Sequence, residues 1–370
     1  GQFAADLVHR LYLGNTLNKA TFPDTKAMNA SVIKVIDYDK DGDLDLFIGN
    51  NSKYNSFGKM PDCYLLNNNK GVFSVAQSKT FATIGMVTDA LVTDFNKDGN
   101  LDLIVVGEWM KPKFFANTKG NFKEVTESKL PGNHNGLWQS IAAFDMDQDG
   151  DQDYLLGNWG MNSKFKSSKE FPMKMYYDDF DANGTFETIV AVEKNGKYYT
   201  TMGLDELVEE FSGMLKKKFN NYKSFAGKTV EEIFDIKMLE KAAYYEVHNL
   251  KSGYLRNDNG KFTFVSFSNK MQVGPITSFA KDDFDGDGKE EVFTAGNYFG
   301  VTPYHSRFDG FSGALIKNQK TIYLGSQIGI DLSQKAVRHL DIIPLNGKKY
   351  LLVTINNKKA EVYELPMNKN

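Results

Sequence analysis

The chain has 370 residues, with 44 Lys and Arg against 47 Asp and Glu, 41% hydrophobic residues and a single cysteine, Cys63. This apolar content is enough for a folded core. No apolar run approaches the roughly 20 residues of a membrane helix, and one cysteine excludes an internal disulfide or a cysteine zinc cluster. The formal charge of −3 gives no electrostatic reason to expect a nucleic-acid partner.

One nine-residue pattern, D-x-[DN]-x-[DN]-G-x-x-[DE], recurs five times along the chain. An apolar, β-branched or aromatic run precedes and follows it, as in residues 32–36 and 44–48. Short runs of this kind, bounded by Gly, Asn and Asp, are typical of β-strands. The pattern therefore predicts a loop between two antiparallel strands. The five copies span Asp37–Asp45, Asp94–Asp102, Asp145–Asp153, Asp179–Glu187 and Asp283–Glu291.

A second repeated string, an aromatic residue followed by Asn and then Gly-x-Phe, occupies residues 64–73, 114–122 and 254–262. Asn and Gly are residues of tight turns, so the string predicts a second hairpin. Two hairpins make a four-stranded unit, and the first three copies start 57 and 51 residues apart. Four-stranded units at this spacing indicate a β-propeller. We expect an all-β fold, one propeller domain spanning residues 1–370.

The later spacing is irregular, because the third and fourth copies start 34 residues apart and the fourth and fifth 104. Between Leu204 and Phe219 apolar residues recur every three or four positions, which predicts helices. We expect a helical insertion at residues 203–247 within a blade. A degenerate sixth copy lies at residues 341–349, and strands near residues 7–13 and 361–365 could pair to close the ring. The number of blades stays open between six and seven.

The carboxylates at positions 1, 3 and 5 converge when the backbone curls, and Gly at position 6 permits the turn. A backbone carbonyl at position 7 and the acid at position 9 complete a set of hard oxygen ligands that suits Ca²⁺ better than Mg²⁺. Polar hairpin turns alone would explain the Gly, but not four mutually repelling carboxylates. The helix–loop–helix calcium site is excluded because it needs a Glu at position 12. Position 12 here is Ile48, Val105, Leu156, Val190 or Thr294.

We therefore predict up to five Ca²⁺ ions. The second and fourth loops have only three carboxylates at ligand positions, so we expect them to bind more weakly. The candidate ligands are Asp37, Asp39, Asp41, Asp43 and Asp45 in the first loop; Asp94, Asn96, Asp98, Asn100 and Asp102 in the second; Asp145, Asp147, Asp149, Asp151 and Asp153 in the third; Asp179, Asp181, Asn183, Thr185 and Glu187 in the fourth; and Asp283, Asp285, Asp287, Lys289 and Glu291 in the fifth.

These loops, their strand flanks and the second string resemble the FG-GAP/VCBS repeats of integrin α-subunit propellers and of many secreted bacterial proteins. The strings at residues 107–110, 136–140 and 157–165, with the helical segment, further resemble the C-terminal repeat region of bacterial VCBS proteins that carry an ASPIC/UnbV module. That module is not apparent here, so the chain is compatible with being part of a longer multidomain protein. The resemblance implies a propeller and calcium loops, and it implies no defined activity.

In the propellers that the chain resembles, calcium loops lie on the lower face and ligands bind the upper face, where the second strand of each blade ends. A Trp- and Tyr-rich cluster with polar groups suits a glycan or a protein ligand. The alternative is that these repeated side chains pack between blades. The candidates are Glu108, Trp109, His134, Trp138, Asn158, Trp159, Asn297, Tyr298, His305 and Arg307.

The sequence thus predicts a non-catalytic calcium-binding interaction module located outside the cytoplasm, where millimolar calcium suits weak sites. The alternative is a calcium-dependent lyase or hydrolase acting on polysaccharides, with Glu108 or His134 as acid or base; no catalytic motif supports it. Positions 1, 3, 5 and 9 hold 18 of the 47 acids, which leaves 29 acids against 44 Lys and Arg. With calcium bound, a modest attraction to acidic partners such as acidic glycans is expected.

Overall fold

The computed structural model describes residues 11–13, 16–18, 23, 28–53, 57–302, 305 and 307–366. Within these residues the chain forms antiparallel β-sheets and a few short helices, so the predicted all-β class is confirmed. None of the helices in this part of the chain has the length and apolar character needed to cross a membrane.

Two sheets of similar topology form the N-terminal part. A short pair, β1 (Leu11–Leu13) and β2 (Thr16–Asn18), precedes them. Sheet I consists of β3 (Met28–Ile36), β4 (Asp45–Lys53), β5 (Tyr64–Asn69) and β6 (Val72–Ala76), and α1 (Ser78–Phe81) follows it. Sheet II consists of β7 (Met86–Thr93), β8 (Asp102–Met110), β9 (Lys113–Thr118) and β10 (Asn121–Glu124); α2 (Thr126–Lys129) comes next, and β11 (Gly136–Leu137) pairs with β8.

Sheet III is interrupted by a long inserted segment. Its strands are β12 (Ser140–Phe144), β13 (Asp153–Gly157) and, after the insertion, β18 and β19, with β13 paired directly to β18. The inserted sheet consists of β14 (Met173–Asp178), β15 (Glu187–Lys194), β16 (Lys197–Thr200) and β17 (Ala243–Val247). Between β16 and β17 lie α3 (Leu204–Glu210), α4 (Ser212–Lys218), α5 (Tyr222–Phe225), α6 (Val230–Ile233) and α7 (Ile236–Lys241). Strands β18 (Gly253–Asp258) and β19 (Lys261–Ser266) then complete sheet III.

The C-terminal part contains two further sheets. Sheet IV consists of β20 (Ile276–Asp282), β21 (Glu291–Gly296), β22 (Ala314–Ile316) and β23 (Ile322–Leu324). Sheet V consists of β24 (Val337–Leu345), β25 (Lys348–Ile355) and β26 (Glu361–Leu365). The degenerate sixth copy forms the β24–β25 hairpin, in which Asn346 and Gly347 both have positive φ, as a two-residue turn requires.

Three predictions can be compared with this topology. The second string forms the β5–β6, β9–β10 and β18–β19 hairpins, as predicted. The inserted segment is longer than the helical stretch expected at residues 203–247, because it begins after β13 and also contains the sheet that carries the fourth loop. The expected number of six or seven blades includes the fourth acidic loop as part of a blade of its own. In the structure that loop belongs to the inserted sheet. Of the strand expected at residues 7–13, residues 7–10 lie outside the described residues, and Leu11–Leu13 pairs with Thr16–Asn18.

The five sheets I to V pack in chain order, each against the next. Aromatic and aliphatic side chains fill the interfaces, for example Phe47, Phe81 and Phe115 between sheets I and II. In sheets I to IV a hydroxyl near the start of the first strand also bonds to a backbone carbonyl at, or shortly before, the start of the first strand of the next sheet. The four bonds are Ser31 Oγ to Val87 O at 2.6 Å, Thr88 Oγ1 to Trp138 O at 2.7 Å, Ser140 Oγ to Ile276 O at 3.1 Å and Thr277 Oγ1 to Val337 O at 2.7 Å.

A cavity of about 500 Å³ is lined by residues of β3, β7, β12, β20 and β24, or residues directly before them, so all five sheets contribute to it. Asp89 ties three of these sheets together, since it pairs with Lys34 at 3.0 Å and accepts the N–H of Ile141 at 3.0 Å. The inserted segment has a separate core in which Phe211, Leu215 and Phe234 pack beside Ile189. The series of five sheets therefore frames the cavity, and the inserted sheet lies outside that series.

Candidate functional site

The five acidic loops each join the first and second strands of a hairpin: β3–β4, β7–β8, β12–β13, β14–β15 and β20–β21. Each loop is curled by two residues of positive φ, at positions 4 and 6. Position 6 is always Gly, whereas position 4 is Lys40, Lys97, Gln148, Ala182 or Gly286. The motif predicts the Gly, but position 4 varies in type and gives no sequence signal.

The carboxylate at position 1 organises the loop backbone. In the second loop Asp94 accepts the N–H of Asp98 at 3.0 Å and of Gly99 at 2.8 Å. Asp145, Asp179 and Asp283 accept the corresponding pairs of N–H groups in their own loops. These bonds draw the first half of the loop around one carboxylate, which brings the side chains of positions 1 and 3 together.

The acid at position 9 is buried in all five loops. In the third loop Asp153 accepts the N–H of Met146 at 2.9 Å from its own loop and that of Asn257 at 2.8 Å from β18. Asp45 accepts equivalent bonds from Tyr38 and Asn68. Burial raises the pKa of Asp102 and of Asp153 to about 6. The backbone hydrogen bonds to these carboxylates lower the pKa, but burial has the larger effect. Position 9 is thus a backbone clamp as well as a candidate ligand, a role that the sequence reading missed.

Four loops bring three carboxylates together, with one oxygen of each within 4.8 Å of the others. Several loop carboxylates also have a buried oxygen with no hydrogen-bond partner among the described residues, which is costly unless a cation compensates it. The donor set is made of hard oxygens, so these residues fit Ca²⁺. The clusters are Asp37, Asp39 and Asp41; Asp145, Asp147 and Asp153; Asp179, Asp181 and Glu187; and Asp283, Asp285 and Glu291. The partnerless oxygens include Asp37 Oδ1, Asp102 Oδ2, Asp147 Oδ1, Asp151 Oδ1 and Asp181 Oδ1.

The second loop differs because its amides bond to its own carboxylates. Asn96 donates to Asp98 at 3.1 Å and Asn100 donates to Asp98 at 2.9 Å. These bonds, with the backbone N–H of Asn100 as the largest contribution, lower the pKa of Asp98. In the fourth loop Thr185 Oγ1 lies within hydrogen-bond distance of Asn183 Oδ1 and Glu187 Oε1, and it has one proton to donate to either. The weaker calcium binding expected of these two loops remains a prediction.

A second group of predicted residues meets at the cavity end opposite the loops. Glu108 lies six residues beyond Asp102 on β8, about 20 Å along the strand. Its carboxylate accepts hydrogen bonds from Gln139 at 2.9 Å and Asn51 at 3.5 Å. Burial raises the pKa of Glu108, against these bonds.

Two aromatic rings lie beside the cavity residue Arg338. The half-buried Trp159 lies 5.3 Å from the ring of Tyr298, and the exposed Arg338 lies 5.4 Å from the same ring. Burial raises the pKa of Tyr298; Arg338 opposes this rise and Glu108 adds to it. Arg338 and Gln139 also line the cavity. We call Glu108, Gln139, Trp159, Tyr298 and Arg338 the cavity mouth. Sequence reasoning missed Gln139, although it lies in the string at residues 136–140, and it missed Arg338, which lies outside every string.

Four of the predicted ligand residues are buried in the sheets. Trp138 is fully buried, and its Nε1–H donates to the carbonyl of His134 at 3.1 Å. Asn158 and Asn297 bond to backbone groups; Asn297 Nδ2 donates to the carbonyl of Phe311 at 2.8 Å. Trp109 packs between β8 and the inserted sheet. These contacts hold the strand ends, so the ligand site that we propose does not include these four side chains.

The remaining three predicted residues, His134, His305 and Arg307, are not part of the cavity mouth. The ring of His305 lies 5.3 Å from Phe165, which packs against Trp159, and burial lowers the pKa of His305. Arg307 is exposed and covers the ring of Phe299 at 5.1 Å. His134 instead lines another cavity of about 500 Å³, together with His248 and Lys169, and burial lowers its pKa.

Comparison with known families identifies FG-GAP-like repeats in this chain: residues 37–105 and 94–156 match the family described as FG-GAP-like repeat. These matches contain the first three loops. The closer resemblance to VCBS proteins with ASPIC/UnbV modules remains a prediction. No curated protein matches the chain.

Two solved structures are similar at low identity. The biofilm matrix protein Bap1 of V. cholerae is 10% identical, with a TM-score of 0.35, over 95% of this chain and 71% of its own. BBS1N, in its complex with ARL6DN, is 7% identical, with a TM-score of 0.26, over 92% of this chain and 93% of its own.

Proposed function

We propose that the protein is a calcium-binding β-propeller that acts as a non-catalytic binding module. Sheets I to V are its five blades, arranged around the cavity, and the inserted segment projects from the third blade. Two observations support the proposal that the five sheets form a ring. Four hydroxyl-to-carbonyl hydrogen bonds join neighbouring sheets, and all five sheets contribute to the cavity. The chain then forms one propeller domain with one insertion.

The observation that carries the calcium proposal is the set of buried carboxylate oxygens without a partner in the loops. Unpaired buried charges destabilise a fold, so a bound cation stabilises each loop and fixes the turn between its two strands. Calcium titration of chelator-treated protein, followed by calorimetry, tests this. We expect several sites and a higher Tm; the absence of binding would remove the proposal. Loops of this kind suit the calcium concentration outside the cytoplasm, so we propose an extracytoplasmic location.

The cavity mouth is the proposed ligand site. Trp159 and Tyr298 offer flat apolar faces, while Gln139, Glu108 and Arg338 offer hydrogen-bonding groups beside them. Such a combination suits a glycan, whose rings stack on aromatic faces and whose hydroxyls bond to polar groups. Arg338 adds a preference for an acidic glycan. A protein ligand is the competing partner.

A glycan array with the native protein and Trp159→Ala tests the mouth. Tyr323→Ala is the matched control, because Tyr323 is an exposed aromatic residue on the outermost strand of sheet IV. We expect Trp159→Ala to lose the signal and Tyr323→Ala to keep it. Equal glycan binding by all three proteins would show that Trp159 does not contact the ligand and serves packing alone.

One observation favours a second candidate, a polysaccharide-active enzyme. The raised pKa of Glu108 suits a proton donor or acceptor. Incubation of the calcium-loaded protein with polysaccharides, followed by product analysis, tests this candidate. Turnover that Glu108→Gln abolishes would replace the binding proposal; no turnover would leave the binding proposal in place.

A further inference from the structure

The fifth loop contains a cation supplied by the chain itself. Lys317 directly follows β22, and its ammonium lies 2.6 Å from Asp285 Oδ2, 3.1 Å from Glu291 Oε1 and 3.2 Å from Asp287 Oδ2. These are positions 3, 9 and 5 of the loop. Asp285 and Glu291 are also two of the three carboxylates that the fifth loop brings together. The ammonium therefore lies where the other loops would hold a metal ion.

Strand register shows which residue has the same place in the other sheets. In sheet IV the pair Val292–Ile316 places Lys317 opposite the position-9 acid, Glu291. The corresponding pairs in sheets I, II and III are Leu46–Leu66, Leu103–Phe115 and Tyr154–Leu255. One residue further along, the position-9 acids of those sheets face Asn67, Ala116 and Arg256.

In the described part of the chain, none of these three residues forms an ion pair with a carboxylate of its loop. Asn67 does reach the first loop, because its Nδ2 donates to Asp39 at 3.0 Å, but it is a neutral amide. Ala116 has no polar group. Arg256 is held by Asp258 on its own strand, in two bonds of 3.1 and 3.0 Å. The residue two places beyond Lys317 is the neutral Gln319, so Lys317 has no acid at the place where Arg256 has Asp258.

We propose that Lys317 is the resident cation of the fifth loop, and that this loop takes up no calcium at concentrations that fill the other loops. The inference rests on the proposed calcium binding of the other loops. It reverses the ranking expected from carboxylate number, in which the fifth loop is among the strongest.

The physical reason is competition from a tethered group. Asp285 and Glu291 are almost fully buried, so their ion pairs with Lys317 are poorly screened by solvent. A lysine side chain is an ammonium at neutral pH, and this one bonds to Asp285, Glu291 and Asp287. A calcium ion must displace three bonds made by a group that cannot diffuse away.

The test is the calcium stoichiometry of native protein, Lys317→Met and Lys317→Arg, measured by calorimetric titration after chelator treatment. We expect Lys317→Met to bind one more ion than the native protein, and Lys317→Arg, which keeps the charge, to match the native protein. Asp287→Asn should leave the native stoichiometry unchanged and remove the additional ion from Lys317→Met. Equal numbers for native protein and Lys317→Met, or one ion fewer in Asp287→Asn alone, would overturn the proposal.

The reciprocal variant does not depend on the folding of Lys317→Met. Asn67→Lys places an ammonium beside Asp39 and should lower the stoichiometry by one, whereas Asn67→Met, which removes the amide without adding charge, should not. An unchanged stoichiometry in Asn67→Lys would count against the proposal. If the native protein binds no calcium at all, the proposed function fails. If in that case Lys317→Met gains one ion, Lys317 is still identified as the cation that competes with calcium in the fifth loop.

Discussion

The backbone N–H of Asn257 donates to Asp153 Oδ1 at 2.8 Å, joining residues 104 positions apart across the whole inserted segment. Asp153 closes the third loop, and Asn257 lies on the strand that returns after the insertion. The acid at position 9 therefore couples the loop to the second hairpin of its sheet. The proposed calcium binding and the sheet pairing share this one carboxylate.

Asp153→Asn should separate these two roles. The amide oxygen can still accept the N–H of Asn257 and the buried negative charge is removed, but the amide nitrogen is a donor and cannot accept the N–H of Met146. Since burial raises the pKa of Asp153 to about 6, from an ordinary 3.8, the charge costs stability increasingly across that range and fully above it. In chelator at pH 7.5 we expect a Tm equal to or above the native value, and in calcium a smaller gain than the native protein shows. Glu240→Gln, an exposed change of the same charge, is the control; a lower Tm for Asp153→Asn in chelator would contradict the prediction.

Removal of calcium should lower the Tm of the native protein. Ligand binding stabilises a fold by about 2.7 kcal/mol per site when the free ligand is at 100 times its Kd. Hydrogen exchange with and without chelator should show faster exchange in residues 37–45 and 145–153, whose turns lose their cation. Residues 283–291 should change little, because Lys317 stays in place. Uniform acceleration in all five loops would argue against this difference.

Glu108→Gln should stabilise the protein in a pH-dependent way. Burial raises the pKa of Glu108 above its ordinary value of 4.5, so the folded state resists ionisation more than the unfolded state does. The side chain is protonated in both states at low pH, and its cost appears as pH rises from about 4.5 through the raised pKa. The advantage of Gln over Glu in the free energy of unfolding should grow over this range and then level off. Denaturant titrations at a series of pH values measure it, and a constant difference would contradict the prediction.

Thr88→Val should weaken the contact between sheets II and III. Thr88 Oγ1 donates to Trp138 O at 2.7 Å, and Val removes the donor while keeping the shape. A buried carbonyl left without its partner costs about 1–3 kcal/mol. We expect a loss of this size in the free energy of unfolding, measured in urea. Thr263→Val, at an exposed site on β19, should change it by less than about 0.5 kcal/mol.

The repeated motif made the hairpins and the loops predictable, because Gly at position 6 and the acids recur at fixed spacing. It could not reveal that the fourth loop belongs to an inserted sheet. Pairing of β13 with β18 is a contact between residues about a hundred positions apart, as in Leu155 with Tyr254, and local patterns carry no signal for it.

The candidate ligand residues were harder to predict. The Gly-Asn-aromatic strings mark equivalent strand ends, but Trp138 and Asn297 serve packing and backbone bonding whereas Trp159 and Tyr298 meet at the mouth. Burial separates these two groups, and burial depends on neighbouring sheets. Lys317 was missed for a similar reason: it lies outside the motif and reaches the fifth loop only through the register of β22.

The insertion in sheet III leaves and returns at one point. Asn158 donates its backbone N–H to Ser252 Oγ at 2.9 Å and its side-chain amide to the carbonyl of Asn249 at 3.0 Å, so the two ends of the inserted segment are fastened together. Strands β13 and β18 keep their register whatever lies between them. The residues that fasten this junction lie outside the inserted sheet, so we expect the series of sheets around the cavity to tolerate changes in the length and content of the segment between them.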